Sequence, residues 1–240
     1  MSSYIISDIH GDLHAFNRIL KEIEFKEEED FLIINGDVLD RGEHGIEVLF
    51  LVKQMVDSGC AVMLKGNHEL FAQMYLEGSL TDRDWILFSG EATLKDLKAL
   101  SDVQRNEVLE FIKKMPLYTE KSIHGLGKTV ITHSGLAEDY LVTDQDGMID
   151  VVESLNMAAG KDEYQLLISA DIHYWGHDRL SKLDKYIICG HIPTYQLGPE
   201  YTGMIFKSKA YMDIDAGSGY RKQGGRLACY CIESGKTVYI

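Results

Sequence analysis

Side chains that can bind metal ions follow five short apolar segments of this sequence. The polar clusters are Ser7-Asp8-Ile9-His10-Gly11, Gly36-Asp37-Val38-Leu39-Asp40-Arg41-Gly42, Lys65-Gly66-Asn67-His68-Glu69, Thr132-His133-Ser134-Gly135 and Gly190-His191. Asp, Asn and His supply oxygen and imidazole nitrogen without sulfur, a donor set that suits Mn²⁺, Fe²⁺/³⁺ or Zn²⁺. Asp37 has two carboxylate oxygens and can therefore bridge two such ions.

The segments that precede these clusters are predicted to be buried strands. Their ranges are 4–7, 31–35, 61–65, 128–132 and 186–189, and helices are predicted at 13–23 and 46–57. The βαβαβ order of the first third implies parallel strands joined by right-handed crossovers. Because ligands of open α/β sheets bind at the carboxyl edge of the strands, we expect the five clusters to converge on one site.

The remaining segments are less regular. Residues 70–114 show a helical pattern that ends at Pro116, so a helical cap insertion is expected inside a single domain of residues 1–240. A mixed segment of about fifty residues follows His133. Four strand-like runs lie at 203–206, 211–214, 226–232 and 237–240, the last two joined by a predicted hairpin turn at 233–236.

The ordered set of motifs resembles the calcineurin-like metallophosphoesterases, and within them the phosphoprotein phosphatase branch with its bacterial and phage serine/threonine phosphatases. The pattern D-x-H-G, G-D-x-x-D-R-G, G-N-H-E, H-[GA]-G and G-H corresponds to residues 8–11, 36–42, 66–69, 133–135 and 190–191, with Ser134 as a departure. Trp175 and residues 214–217 extend the likeness, which runs from residue 5 to about 219. The resemblance implies an α/β fold, a four-layer α-β-β-α sandwich with the active site at its strand ends.

The resemblance also implies a role for each motif residue. Two metal ions, of Mn, Fe or Zn, would be held by Asp8, His10, Asp37, Asn67, His133 and His191, with Asp37 as the bridge. A hydroxide held between the ions would attack the phosphorus atom. His68 resembles the general acid that protonates the leaving oxygen, and Asp40 the residue that orients it.

Phosphate binding is expected from Arg41 and Asn67, but the position of a second arginine is open. Bacterial and phage relatives often carry this arginine two residues after the Trp, where this sequence has His177. Arg179 is the first candidate, and Arg221 or Arg226 could replace it.

Two details favour a phosphomonoesterase, and the expected enzyme is a serine/threonine protein phosphatase that could also act on phosphotyrosine. Pro193 stands where many diesterase-type relatives carry a second His, and Asp40 and Glu69 are both present, whereas symmetrical dinucleoside tetraphosphate hydrolases typically lack the Asp. The alternative is such a tetraphosphate hydrolase, or another hydrolase of small phosphoanhydrides. A non-catalytic phosphate-binding scaffold is a third hypothesis, which the complete ligand set disfavours.

The composition limits the partners of the chain. A formal net charge of −14 disfavours nucleic acid and anionic membranes, since binding to either relies on Lys and Arg. A phosphorylated protein or a small phosphoester is the expected partner, and the sequence leaves the oligomeric state open. The start lacks the basic region of a signal peptide, no apolar run reaches the roughly 18 residues of a membrane span, and the four Cys show no disulfide framework, so a cytoplasmic location is expected.

Overall fold

Two five-stranded sheets form the centre of the computed structural model, which describes residues 2–169 and 171–240. The strands are β1 (Ser3–Ile6), β2 (Phe31–Asn35), β3 (Ala61–Leu64), β4 (Tyr118–Ile123), β5 (Gly127–Thr132), β6 (Val142–Thr143), β7 (Ile149–Asp150), β8 (Tyr186–Cys189), β9 (Phe206–Lys207), β10 (Tyr211–Asp213), β11 (Ala228–Cys231) and β12 (Thr237–Tyr239). The helices are α1 (Leu13–Glu22), α2 (Gly45–Asp57), α3 (Asn67–Leu76), α4 (Asp82–Leu87), α5 (Glu91–Ala99), α6 (Asp102–Lys113), α7 (Val151–Lys161), α8 (Glu163–Ile168), α9 (Asp171–Tyr174) and α10 (His177–Leu180).

The first sheet has the strand order β12-β11-β1-β2-β3. β1, β2 and β3 run parallel, as the βαβαβ pattern predicts, with Ile5 opposite Ile33 and Ile33 opposite Val62. β11 and β12 form the predicted C-terminal hairpin, and β11 pairs antiparallel with β1. The amino-terminal and carboxyl-terminal segments therefore share one sheet.

The second sheet has the order β4-β5-β8-β10-β9. β8 lies between β5 and β10 and is parallel to both. β4 and β5 form a hairpin in which Ile123 lies opposite Gly127. The strands that precede His133 and His191 are thus neighbours with the same direction.

Alternating side chains of the buried strands face different layers of the molecule. Ile5 and Ile33 point into the core between the two sheets, together with Ile188 from β8. Their neighbours Ile6 and Ile34 point outwards, into the core that α1, α2 and the helices of residues 67–113 cover. On the outer face of the second sheet, strand residues pack against α7 and α8. The order of layers is α-β-β-α, the predicted sandwich.

The helices after β3 pack on the outer face of the first sheet. Trp85, Leu97, Val108 and Ile112 are buried there in the same core cluster as α1 and α2. α3 begins at Asn67 itself, so Asn67 and His68 occupy the first turn of this helix. Residues 67–113 are therefore attached directly to the end of β3.

The structure differs from the sequence prediction in several regions, among them β4, which the sequence does not predict. The predicted strand at 203–206 is displaced to Phe206–Lys207, because residues 199–201 form a 3₁₀ turn and Gly203 has a left-handed φ of 68°. The mixed segment after His133, for which the sequence predicts no element, contains α7 and α8. No helix within the described ranges has the length and apolar character needed to cross a bilayer.

Candidate metal centre

The carboxyl ends of β1, β2, β5 and β8 meet at one end of the sandwich. The N–H of His191 donates to Oδ2 of Asp8 at 3.1 Å and so joins the ends of β8 and β1. Nδ1 of His133 donates to the carbonyl of Asn35 at 2.9 Å and joins β5 to β2. Because Asn67 contacts both imidazoles, the end of β3 belongs to the same cluster, which brings all six predicted metal ligands together.

One group of potential ligand atoms contains Asp8, His10 and Asp37. Nε2 of His10 lies 3.8 Å from Oδ1 of Asp8 and 3.7 Å from Oδ2 of Asp37. These two carboxylate oxygens are buried and have no hydrogen-bond partner among the described residues. An unpartnered buried carboxylate oxygen is unfavourable, and a cation between these three atoms would satisfy both oxygens.

The second group lies on the other side of Asp37. Oδ1 of Asp37 is 3.4 Å from Nε2 of His133. Oδ1 of Asn67 is 3.0 Å from the same nitrogen and 2.9 Å from Nδ1 of His191. Asp37 thus presents one oxygen to each group, which is the arrangement that a bridging carboxylate needs.

Hydrogen bonds fix the orientation of two imidazoles. Nδ1 of His10 lies 2.9 Å from the carbonyl of Leu39, and Nδ1 of His133 lies equally far from the carbonyl of Asn35. Since a carbonyl only accepts, Nδ1 carries a proton in both rings and Nε2 is directed into the cluster. This is the usual support of a metal-binding histidine.

The ionisable groups of the cluster shift one another's pKa values. Burial alone would lower the pKa of His133, but the carboxylates of Asp37 and Asp8 raise it to about 10. Burial would raise the pKa of Asp37, but His133 and His68 hold it well below its usual range. Burial raises the pKa of Asp8 to about 7. A protonated His133 therefore balances the carboxylates, and an ion bound at its Nε2 must displace that proton.

Strained backbone is concentrated at the same place. Eight non-glycine residues of the described chain have a positive φ, and six of them belong to the predicted site: Asp8, His10, Asp37, Asp40, Arg41 and His191. Such conformations cost energy and persist where the surrounding structure enforces them. The chain is also closely packed here, since a Cβ at Gly66 would lie 2.2 Å from Oδ1 and 2.5 Å from the backbone N of Asp37.

His68 and Asp40 form the predicted pair. Nδ1 of His68 lies 2.6 Å from Oδ2 of Asp40, and the other ring nitrogen, Nε2, lies 3.8 Å from Asp37. Nε1–H of the buried Trp85 also donates to Oδ2 of Asp40 at 2.8 Å. The pair is thereby oriented from the side of α4, while Nε2 of His68 remains directed at the cluster.

The guanidinium group of Arg41 covers the cluster from outside. It contacts Nε2 of His10, lies 3.4 Å from Nε2 of His68, and stacks 4.7 Å from the ring centroid of Tyr220. A Cβ at Gly219 would lie 2.7 Å from Cδ of Arg41, so the 3₁₀ segment 218–223 approaches this side chain closely. Arg41 is placed where a phosphate bound at the cluster would meet it.

Two cavities meet at Arg41 and Tyr220, on either side of the cluster. The first, of about 460 Å³, extends from His10 towards Arg221 and Lys222. The second, of about 360 Å³, is called the aromatic cleft below and is lined by Arg41, Asn67, His68, Phe71, Leu87, Phe88, Ser89, Tyr164, Ile168, His191 and Tyr220. The cluster therefore opens in two directions.

The family model of the calcineurin-like phosphoesterases matches residues 1–217 of the 240 residues. The chain belongs to the calcineurin-like phosphoesterase family. It is therefore a hydrolase of a family that uses a dinuclear metal site, and its His and Asp groups suit such a site. This confirms the family resemblance of the sequence motifs.

Curated relatives of this phosphoesterase include a symmetrical bis(5'-nucleosyl)-tetraphosphatase from Erwinia tasmaniensis. It is 28% identical over 170 residues, which cover 71% of this chain and 56% of the relative. A relative of the same description from Nitrosospira multiformis is 29% identical over 64% of this chain. The phosphoesterase spans about half the length of these relatives, 56% and 50%.

Solved structures share the fold of the phosphoesterase. A protein described provisionally as a diadenosine tetraphosphatase has a TM-score of 0.60 at 18% identity, with 100% of this chain and 92% of the other covered. A cold-active protein-tyrosine phosphatase of a psychrophilic Shewanella has a TM-score of 0.58 at 17% identity, with 99% and 77% covered. At these identities the likeness concerns the fold alone.

The three candidate arginines for a second phosphate contact lie in different places in the phosphoesterase. Arg179 pairs with Glu138 at 2.5 Å and stacks on Trp175, and it is outside the described lining of both cavities. Arg226 donates to the carbonyl of Gly203. Arg221 lines the first cavity together with Arg41, and its guanidinium group pairs with Asp12 at 2.6 Å. The assignment of Arg179 stays a prediction.

Glu69 has a position that the motif alone did not indicate. It is fully buried, and its carboxylate accepts from the backbone N–H groups of Gly66, Asp37, Val38 and Leu39 at 2.8–3.3 Å. The side chain therefore holds the turn after β2 against the start of α3. Its presence supports the shape of the metal centre and does not by itself favour phosphomonoesters.

A third polar group lies below the strand ends, inside the second sheet. Nε2 of His173 lies 2.9 Å from Oδ2 of Asp213, and Sγ of Cys189 lies 3.6 Å from the same nitrogen. Burial raises the pKa of Asp213 well above its usual range. His173 thus takes part in a buried pair below the strand ends.

Proposed function

We propose that this chain hydrolyses phosphoanhydride bonds of dinucleoside polyphosphates at a centre of two metal ions. The observation that carries the proposal is the pair of cavities that meet at Arg41 and Tyr220. A substrate that continues on both sides of the scissile phosphate has room in both directions. The curated relatives named as tetraphosphatases support the same substrate class.

The chain's own residues suit two ions of Mn, Fe or Zn. Asp8, His10 and Asp37 would hold one ion, while Asp37, Asn67, His133 and His191 would hold the other. The buried, unpartnered oxygens of Asp8 and Asp37 support this assignment. When bound, such a pair of ions supplies Lewis-acid stabilisation of the charge on the phosphate that reacts.

The remaining polar side chains bind and protonate the substrate. Arg41 donates to the phosphate that reacts, and Arg221 and Lys222 face the phosphates that extend into the first cavity. Nε2 of His68 donates the proton to the leaving oxygen, and Asp40 accepts from Nδ1–H and orients the ring.

A protein phosphatase acting on phosphoserine, phosphothreonine or phosphotyrosine is the second candidate. The observation that favours it is the pair formed by His68 and Asp40. An alcohol leaves as an unstable alkoxide unless it receives a proton, so a phosphomonoesterase depends strongly on such an acid. A nucleoside polyphosphate is a better leaving group and needs the acid less.

The test compares substrates on the metal-reconstituted protein. We expect kcat/KM for diadenosine tetraphosphate to exceed that for a phosphoserine peptide at least about tenfold. A higher value for the peptide would replace the proposal by the second candidate. Failure to hydrolyse either compound, with phosphate binding retained, would point to a phosphate-binding scaffold. Chromatography of the nucleotide products identifies which anhydride bond is broken.

A further inference from the structure

The aromatic cleft has apolar walls above a polar floor. Phe71, Leu87 and Phe88 form one wall, and Tyr164 and Ile168 form the other. The floor is the side of the cleft next to the predicted metal ligands, where Asn67, His68 and His191 lie beside Arg41. A ligand that binds its phosphate at the floor must therefore place its next group between apolar side chains.

Rings follow one another from the metal centre to the surface along one wall. His68 meets Phe71 edge to face at 5.5 Å, and Phe71 stacks on Phe88 at 4.5 Å with an interplanar angle of 17°. Phe71 is buried, whereas Phe88 is 41% exposed. The series ends in a ring that is open to a ligand in the cleft.

Exposed apolar side chains line this cleft. Eight large apolar residues of the described chain are exposed, and three of them line the cleft: Leu87, Phe88 and Tyr164. Leu87 is the most exposed of the three, at 76%. An exposed apolar surface beside a polar centre is typical of a binding site for a ligand with both characters.

Both walls are attached to the strand ends that form the metal centre. The carbonyl of Ser89 accepts from the backbone N–H of Arg41 at 2.9 Å, next to Phe88. On the opposite wall, Nζ of Lys65 at the end of β3 donates to Glu163 at 2.8 Å, next to Tyr164. The width of the cleft is thus set by the same loops that position the ligands.

We propose that the aromatic cleft binds a nucleobase of the substrate by stacking, without reading the edge of the base. This inference rests on the proposed function, which supplies a nucleoside next to the scissile phosphates. The described lining contains no carboxylate, so the cleft does not repel the phosphates. Its polar side chains lie at the floor, apart from Ser89 and the hydroxyl of Tyr164, so flat apolar faces dominate the walls. Phe88 is the specificity-determining residue.

The catalytic test compares Phe88→Ala with the wild type on two substrates, diadenosine tetraphosphate and inorganic tetraphosphate, which has no base. Loss of the stacking ring should lower kcat/KM for the dinucleotide about tenfold, mainly through KM, and change it less than about twofold for the inorganic chain. Phe88→Trp should retain the activity. Tyr174→Ala removes an exposed aromatic ring outside the cleft and serves as the matched control. An equal loss on both substrates would overturn the base site.

A binding measurement separates this inference from the proposed function. AMP should bind the metal-reconstituted protein about tenfold more tightly than ribose 5-phosphate, and Phe88→Ala should abolish the difference. If the wild type shows this preference yet does not cleave the dinucleotide, the proposed activity fails and the base site stands. Equal affinities for AMP and ribose 5-phosphate would overturn the base site whatever the activity. Phenyl phosphate that binds as tightly as AMP, with the same dependence on Phe88, would overturn the assignment to a nucleobase.

Discussion

Glu69 connects the metal centre to the stability of the fold, because its carboxylate accepts four backbone N–H groups in a buried site. In Glu69→Gln one oxygen becomes an NH₂ group that faces N–H donors. We expect the free energy of unfolding to fall by about 2–4 kcal/mol, as for loss of charged hydrogen bonds in a buried site. Thermal and denaturant unfolding measure the change.

Glu77→Gln is the matched control for this substitution. Glu77 follows α3 at the surface and pairs with Lys113, so its replacement should cost less than about 1 kcal/mol. An equal decrease in the free energy of unfolding in both variants would contradict the prediction that the buried hydrogen bonds of Glu69 stabilise the fold.

The proton of His68 gives a second prediction at the scale of the residue. His68→Asn should retain both metals and lose about 10²–10⁴-fold in rate on an alkyl phosphate, whose leaving alkoxide needs the proton. The loss on an activated aryl phosphate should be much smaller. Asp40→Asn should lose less rate than His68→Asn, and it should again lose more on the alkyl phosphate than on the aryl phosphate.

Metal analysis of the same variant distinguishes two roles for this histidine. Nε2 of His68 lies 3.8 Å from Asp37, close enough to share an ion with Asp37 and His10. Loss of one ion per chain in His68→Asn would make His68 a ligand, and equal slowing of both substrates with metals intact would refute the general acid.

At the scale of the element, the helices after β3 contact the loop of Asp40 and Arg41 at three points. Trp85 donates to the carboxylate of Asp40, Thr93 Oγ1 accepts from the N–H of Asp40, and the carbonyl of Ser89 accepts from Arg41. Residues 81–93 therefore position both predicted catalytic and phosphate-binding residues. An influence of these helices on substrate choice is a prediction.

Gly90 tests this contact. A Cβ at Gly90 would lie 2.3 Å from Cδ1 of Trp85, so Gly90→Ala must displace the indole that holds Asp40. We expect a cost of about 1–3 kcal/mol in stability, as for overpacking of a core, together with reduced activity. Gly160→Ala is the control, because nothing lies within 4 Å of the added methyl group. It should stabilise α7 by about 0.5–1 kcal/mol, and a similar loss in both variants would contradict the prediction.

The elements that could be predicted are those whose apolar residues recur with a clear strand or helix period, or whose ends are marked by clear sequence signals. β1, α1, β2, α2 and β3 alternate apolar runs with helical patterns, and their observed bounds differ from the prediction by one residue at most. α8 escaped prediction because it has only six residues, and α7, although it has 11, because it follows a loop-rich segment. β4 is an edge strand with a mostly polar sequence, Tyr118–Ile123, so its pattern resembles a loop.

At the scale of the whole molecule, metal binding is coupled to protons. The pKa of His133 is raised to about 10, chiefly by Asp37 against the effect of burial, so the ring is protonated at pH 7. An ion that binds Nε2 releases this proton, and the apparent affinity should rise about tenfold per pH unit from pH 7 to 9. Below pH 7 protonation of Asp8 should make the dependence steeper.

Calorimetric titration with Mn²⁺ at several pH values measures the dependence, and elemental analysis should find two ions per chain. Chelator should lower the melting temperature and abolish activity, since ligands that bind the native state stabilise it. A stoichiometry of one ion, or an affinity independent of pH, would contradict the prediction.

The ligand set of the site was predictable, but its supports were not. The six predicted ligands are recognised from motifs at strand ends, where local sequence determines the position of each side chain. The contact between Trp85 and Asp40 joins residues 45 apart, and that between Glu69 and Asp37 joins residues 32 apart. Such pairs depend on how helices pack on the sheet, which no local pattern encodes.

The left-handed backbone at six residues of the site has an evolutionary consequence. Each such conformation costs a non-glycine residue on the order of 1 kcal/mol or more, while glycine adopts it freely. The sum is a sizeable part of the 5–15 kcal/mol by which native proteins are typically stable. Selection for stability alone would drift towards glycine at Asp8, Asp37 or Arg41 and lose the chemistry. A homologue with glycine at these positions should therefore be more stable than this protein and have no activity.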